Sequence, residues 1–108
     1  MDVKSEPALP DLFSPGMVVL SVKGHDRGRL YLVLASKGDR RLLLADGRTR
    51  GYVDAKLKNT RHVQKLGRAL EAGALEEMLG GDLCESEYKT LIRKLITQWA
   101  EDKGMDTK

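Results

Sequence analysis

Two glycines enclose three polar side chains early in the chain. The stretch Gly24-His25-Asp26-Arg27-Gly28-Arg29 lies between two apolar segments. Glycine tolerates positive φ and has no Cβ, so a turn here can be sharp and its amides can approach an anion closely. Each arginine adds a planar fork that bonds phosphate oxygens in pairs, while Asp26 is expected to bond a backbone amide two residues on. The stretch therefore predicts a phosphate-binding loop, with a plain tight hairpin as the alternative.

More basic residues follow in the next forty positions. Arg48 and Arg50 are two residues apart, so in an extended segment both point to one face. Basic side chains on a rim are often simply solvated, and we therefore treat the group as one candidate surface. The candidate binding residues are Lys23, Gly24, Arg27, Gly28, Arg29, Arg48, Arg50, Lys56, Lys58, Arg61 and His62.

The charge of the chain is unevenly distributed. Residues 16–68 carry thirteen basic and four acidic side chains, whereas the segments on either side are both net acidic. The formal net charge of +3 hides this contrast. A basic block between acidic ends is typical of a surface that binds a polyanion, although a solvated charged face would have the same composition.

Other kinds of site are poorly supported by the sequence. His25 and His62 are far apart and have no cysteine beside them, so we expect no metal site. The phosphate-binding spacing GxxxxGK[ST] is absent, and no nucleophile–base–acid set stands out. We therefore expect a non-catalytic protein without a cofactor. The single cysteine, Cys84, rules out an internal disulfide and favours the cytoplasm; we expect it to be a partly buried structural residue.

The periodicity of the apolar residues predicts a mainly β fold with a C-terminal α segment. Strands are expected over 17–23, 30–35, 40–46 and 48–53, with Val63 and Leu66 available for a last strand. Asp46-Gly47 is a strong signal for a type I′ turn that pairs the third and fourth strands. Short strands with tight turns favour a small twisted barrel.

Two helices are expected after residue 68. The first covers "RALEAGALEEML" and ends at Gly80-Gly81, and the second begins at a capping box of Asp82 with Glu85, or at Ser86. An apolar stripe then follows helical spacing: Tyr88, Leu91, Ile92, Leu95, Ile96 and Trp99. This stripe is expected to cover an open side of the barrel, or else to form a dimer or partner surface.

These elements imply one domain with short ends. We expect a flexible lead-in at 1–15, a barrel at 16–67, a helical segment at 68–103 that packs on the barrel or on a partner, and a frayed tail at 104–108. The first residues are acidic and rich in proline, unlike a signal peptide. No apolar run approaches the roughly 20 residues that a membrane span needs.

Residues 16–36 resemble a KOW motif, which is a strand, a glycine-centred loop and a second strand. The matching residues are Gly16-Met17-Val18-Val19, then Val22 to Arg29, then Leu32-Val33-Leu34. The likeness continues through "LLLADGRTR" and "KLKNTRHVQKL" to about residue 66, and the whole resembles the bacterial single-KOW relatives of a family of archaeal and eukaryotic large-subunit ribosomal proteins. Leu30 departs from the motif, which commonly has a small residue there.

The resemblance implies an SH3-like barrel that binds structured RNA, often ribosomal RNA, through the KOW loop and its basic neighbours. An alternative is a protein-interaction module that docks on a transcription or translation complex through the barrel or the C-terminal helix. A DNA-binding accessory factor shares the electrostatics but lacks a recognisable recognition helix. RNA, and secondarily ribosomal or transcription proteins, are therefore the expected partners, with no membrane.

Overall fold

A computed structural model describes residues 13–38 and 40–105. Most of the predicted lead-in, the last residues of the predicted tail and Asp39 of the predicted turn lie outside these ranges. The strands are β1 Met17–Ser21, β2 Leu30–Lys37, β3 Arg41–Ala45, β4 Lys56–Asn59 and β5 Val63–Arg68. A single 3-10 turn, Thr60–His62, precedes β5, and two helices follow it, α1 Ala72–Leu79 and α2 Glu85–Asp102.

The strands form one antiparallel sheet in the order β4-β3-β2-β1-β5. The prediction of a mainly β chain with C-terminal helices is confirmed. In the described part of the chain, β4 and β5 are the outer strands and do not pair with each other, so the sheet is not closed. The predicted fourth strand at 48–53 is wrong, because this segment is an irregular loop and β4 begins only at Lys56.

The central strand β2 is buried on both faces, as its continuous apolar run predicts. On one face of the sheet, Tyr31 and Val33 pack with side chains of the neighbouring strands. This first hydrophobic core includes Val19, Leu42 and Leu44. On the other face, Leu32 and Leu34 belong to a second core that the helices cover. A central strand between two apolar layers needs hydrophobic residues at every position, which explains the loss of alternation.

The apolar stripe of α2 supplies part of that second core. Ile92, Ile96 and Trp99 pack against sheet residues such as Leu32, together with Leu75 of α1. These three residues of the stripe are thus covered within the chain itself, whereas Leu91 is only half-buried. Gly67 of β5 lies against the Trp99 ring, where an added Cβ would come within 2.9 Å of it.

The start of α2 differs from both predicted caps. Cys84 is the N-cap residue, and its backbone N–H donates to the Glu87 carboxylate at 3.0 Å. Cysteine thus takes the place of the usual hydroxyl or carboxylate residue in the capping box. Its thiol is exposed, so the expectation of a partly buried cysteine is wrong. Gly80 follows the last residue of α1, as predicted. In the residues described, no helix is both long and apolar enough to cross a membrane.

Candidate functional site

The loop that joins β1 to β2, residues 22–29, is built around a buried carboxylate. Asp26 accepts hydrogen bonds from the Ser21 hydroxyl at 2.9 Å and from the Tyr31 hydroxyl at 2.6 Å. Its side chain was expected to bond a nearby backbone amide, but it faces inward and contacts side chains instead. These hydrogen bonds connect the loop to the two strands that flank it. Asp26 therefore stabilises the structure of the site.

Two lysines of β4 complete this buried cluster. The ammonium groups of Lys56 and Lys58 lie 3.0 and 2.9 Å from the two carboxylate oxygens of Asp26. Burial alone would raise the pKa of Asp26, but the hydrogen bonds from Tyr31, Lys58, Lys56 and Ser21 outweigh it and hold that pKa far below its ordinary value. Burial, together with the hydrogen bond to Asp26, raises the pKa of Tyr31.

The backbone of the loop uses both glycines as predicted. Gly24 and Gly28 each have φ of +93°, a conformation that other residues adopt only with strain. The Gly28 amide donates to the Ser21 carbonyl at 2.8 Å, and the Arg27 amide donates to the Gly24 carbonyl. The loop therefore closes tightly. The Asp26 carboxylate is buried, whereas the Arg27 side chain is exposed to solvent.

A second carboxylate organises the loop between β3 and β4, residues 46–55. Asp46 is buried, and one of its oxygens accepts three backbone N–H groups, from Arg48, Thr49 and Arg50, at 2.8 to 3.0 Å. Burial would raise the pKa of Asp46, but these amides, the Thr49 hydroxyl and Arg29 lower it. The type I′ hairpin predicted at Asp46-Gly47 is wrong, because the aspartate side chain binds the amides that a fourth strand would have used.

The same loop is held against α2 at two points. Arg93 reaches the Gly47 carbonyl at 3.4 Å, and the Val53 amide donates to the Glu85 carboxylate at 3.1 Å. At Gly47, with φ of +77°, an added Cβ would come within 2.3 to 2.7 Å of backbone atoms of Arg93 and Lys89. Glycine is thus required at position 47 both by its dihedral angle and by the closeness of the helix.

A groove opens where the two loops meet α2. Its volume is about 620 Å³, and the β1–β2 loop, the β3–β4 loop and the helix each contribute to its walls. We call it the arginine groove. Its basic residues are Arg27, Arg29, Arg48 and Arg93, and its other lining residues are His25, Asp26, Gly28, Leu30, Asp46, Thr49, Ile96 and Thr97.

The guanidinium groups of the groove differ in how they are held. Arg29 donates to the Asp46 carboxylate at 3.3 Å and to the Thr49 hydroxyl at 3.2 Å, so its position is fixed. Arg27, Arg48 and Arg93 are exposed, and no carboxylate of residues 13–38 or 40–105 forms an ion pair with them. These three arginines can therefore bind an anion without breaking an ion pair to a described carboxylate.

Some of the predicted site residues lie together in the arginine groove, and others lie outside it. Arg27, Gly28, Arg29 and Arg48 line the arginine groove, while exposed Lys23 and Gly24 lie in the same loop but outside the lining. Arg50 points to the Asp54 carbonyl at 3.4 Å. Exposed Arg61 and half-buried His62 belong to the 3-10 turn.

The two lysines predicted for the site have mainly structural contacts. Lys58 is only 8% exposed, and its ammonium is shared between Asp26 and the Lys23 carbonyl. Lys56 is half-buried on the same carboxylate. Moving a buried ammonium from its carboxylate to a ligand would leave a buried charge unpaired. We therefore exclude Lys58 from the binding surface and assign both lysines to holding the loop.

Sequence reasoning missed the contribution of α2. Arg93 and Thr97 are four residues apart, so they share one helix face beside the buried Ile92 and Ile96. Their position next to the apolar stripe was visible in the sequence, but the loop that meets them was not.

Other classes of site find little support in the described residues. No group of three or more histidine, cysteine, aspartate or glutamate side chains there could hold a metal ion. No protein-family model matches the chain, and a comparison with curated proteins finds no match either, so the meaning of the arginine groove depends on its own geometry and chemistry.

Proposed function

We propose that this chain is a non-catalytic, cytoplasmic RNA-binding protein of the KOW type, which contacts structured RNA such as ribosomal RNA through the arginine groove. The observation that carries the proposal is the convergence of Arg27, Arg48 and Arg93 from three separate elements on one concave surface. Guanidinium groups bond phosphate oxygens in pairs, and phosphate contacts supply most of the affinity of such proteins.

The buried aspartates support the proposal, because they fix the backbone of the two loops that carry Arg27 and Arg48. Asp26 holds the loop that carries Arg27, and Asp46 holds the loop that carries Arg48. Two lysines balance the charge of Asp26, and Arg29 offsets that of Asp46, so the repulsion that either carboxylate exerts on a phosphate is weakened. Loops that are ordered before binding lose less conformational freedom when the ligand arrives.

An SH3-like barrel is the architecture that we propose for the sheet. In a flat five-stranded sheet the outer strands would be about 19 Å apart. The chain from Asn59 to Val63 can span at most about 14 Å, yet it joins these outer strands through a single 3-10 turn. The Val22 amide also donates to the His62 carbonyl at 2.9 Å, which draws this turn to the end of β1. Strong curling of the sheet supports the proposal.

A titration of fluorescent RNA tests the function. We expect the protein to bind an RNA hairpin more tightly than a duplex DNA of equal length, and to lose affinity steeply as salt is added. Four to six phosphate contacts correspond to a log–log slope of about −3 to −5. Equal, weak binding to RNA hairpin, single-stranded RNA and duplex DNA would reduce the groove to a nonspecific basic surface and overturn the proposal.

A second candidate function, docking on a protein, is favoured by one exposed apolar patch. Val53 is 82% exposed, Tyr52 44% and Leu83 38%. The hydrogen bond from Val53 to Glu85 brings this patch to the start of α2. Cosedimentation with purified ribosomes tests it: binding should fall for Val53→Ser with Leu83→Ser but not for substitutions in the arginine groove. The opposite pattern would assign ribosome binding to the groove.

A further inference from the structure

The arginine groove contains an apolar part that phosphate binding does not explain. Half-buried Leu30 lines it, together with the small exposed edge of Ile96. Leu30 is also the residue that departs from the KOW pattern, and it belongs to the edge of the core that α2 covers. Phosphates interact with the charged rim and gain nothing from an apolar surface. A ligand that filled the whole groove would therefore need both an anionic part and a flat apolar part.

A nucleotide with an exposed base has both parts. Its base presents an apolar face, and its phosphates are anionic on either side. The volume of about 620 Å³ is in the range of pockets that enclose a small organic molecule, and it is too small for the body of a double helix. Paired bases are also stacked inside the helix, so their faces cannot reach such a surface.

We propose, on the basis of the RNA binding proposed above, that the groove receives an unpaired nucleotide of the RNA and that Arg93 of α2 contacts it. The base lies over Leu30 and Ile96, where the guanidinium planes of the surrounding arginines can stack on it. The phosphates on either side of the base bind Arg27 and Arg48. The helix thus takes part in recognition, in addition to covering the sheet.

The position of Arg93 is the reason for assigning contact with the nucleotide to this residue of α2. It is exposed, and its contact with the Gly47 carbonyl at 3.4 Å is at the outer limit of a hydrogen bond, so the guanidinium is available to a ligand. Thr97, one turn further along the helix, adds a hydroxyl to the same wall. Lys94 is also exposed and basic but does not line the groove, and it is therefore a matched control.

The test compares two RNA stems of equal length, one fully paired and one with a single bulged 2-aminopurine. We expect about tenfold tighter binding to the bulged stem, as stacking of one base provides, and a change in 2-aminopurine emission on binding. Arg93→Ala should reduce the preference to about twofold or less, Arg93→Lys should restore only part of it, and Lys94→Ala should leave it intact.

The outcomes separate this inference from the proposed function. Equal affinity for both stems, with no change in emission and with binding still dependent on Arg27 and Arg48, would overturn the inference and leave RNA binding in place. A preference that survives Arg93→Ala would overturn the role of the helix. No binding of either stem would overturn both. The emission of 2-aminopurine with the unmodified protein gives a result even where a variant folds poorly.

Discussion

The Lys58 ammonium donates a hydrogen bond of 2.9 Å to the Asp26 carboxylate and so joins the β1–β2 loop to β4. Both residues are buried, and they are 32 positions apart in the chain. The basic residue that the sequence assigned to ligand binding is thus part of the fold, and the acidic residue assigned to a local turn is a long-range anchor.

Replacing Asp26 should cost more stability than replacing its partner. Asp26→Asn leaves the Lys58 ammonium buried without a counter-charge, and we expect a loss of about 3–5 kcal/mol in the free energy of unfolding. Lys58→Met leaves Asp26 with Lys56, Tyr31 and Ser21, so we expect a smaller loss. Urea unfolding of both variants and of the double variant measures this. If the loss of unfolding free energy in the double variant equals the sum of the two single losses, the two residues are not coupled.

The stability of the protein should fall in acid partly through Asp26. Its pKa is held well below the value of about 3.9 that an unfolded chain has. The unfolded chain therefore takes up protons first, so the stabilisation is complete above about pH 5 and declines steadily as the pH falls through and below the pKa of the unfolded chain. We expect Asp26→Asn to flatten the decline of unfolding free energy over this range. Asp46, Asp54 and Glu87, whose pKa values are also lowered, remain in both proteins and contribute to the residual slope.

Gly47→Ala should weaken the packing of the β3–β4 loop against α2. The new Cβ would lie too close to the backbone of Arg93 and Lys89. Gly38→Ala is a matched control, because Gly38 has a similar φ of +72° but no neighbouring atom within 4 Å of the added Cβ. Positive φ alone costs about 1–2 kcal/mol. Thermal unfolding should show a greater loss for Gly47→Ala, and an equal loss would mean that the close approach to the helix is unimportant.

The stripe of α2 should contribute unequally to stability. Ile92 has no exposed surface, whereas Leu91 is only half-buried. We expect Ile92→Ala to destabilise the protein by about 2–5 kcal/mol, because it leaves a cavity between helix and sheet. Leu91→Ala should cost clearly less. Equal costs in urea unfolding would indicate that Leu91 is also covered in solution, for example by a second copy of the chain.

Reversing two charges of the groove should abolish RNA binding without unfolding the protein. Arg27→Glu with Arg48→Glu removes two exposed guanidinium groups and replaces them with carboxylates that repel phosphate. Lys37→Glu with Arg41→Glu makes the same change of charge at the far end of β2 and β3, about 23 Å from the start of β2. We expect only the first pair to abolish binding in anisotropy titrations, with circular dichroism unchanged in both. Equal losses would mean that net charge, and not the groove, determines binding.

Local sequence patterns predicted those elements whose residues act locally. The buried strand β2, the positive φ of the two loop glycines and the helix α2 were predicted correctly, because hydrophobic periodicity and positive φ are properties of neighbouring residues. The errors come from single polar side chains whose hydrogen-bond partners the patterns did not specify. Asp46 bound three amides and prevented a fourth strand at 48–53, and Asp26 drew Lys58 into the interior.

The arginine groove was only half visible in the sequence. Arg27, Arg29 and Arg48 belong to the basic block and could be grouped by charge, but Arg93 lies in the net acidic part of the chain. No spacing rule relates a residue of α2 to the loop after Asp46. That relation arises from packing, where Gly47 allows the loop to approach the helix backbone closely.

The shared carboxylate of Asp26 also constrains how this chain can change over evolution. Losing the acid alone would leave a buried ammonium without a counter-charge, whereas an apolar residue at both 26 and 58 would remove the whole charge from the interior. Lys56, being half-buried, can turn toward solvent and is less constrained. Positions 26 and 58 should therefore covary strongly in related sequences, with an acid–lysine pair or an apolar pair, while position 56 drifts among polar residues.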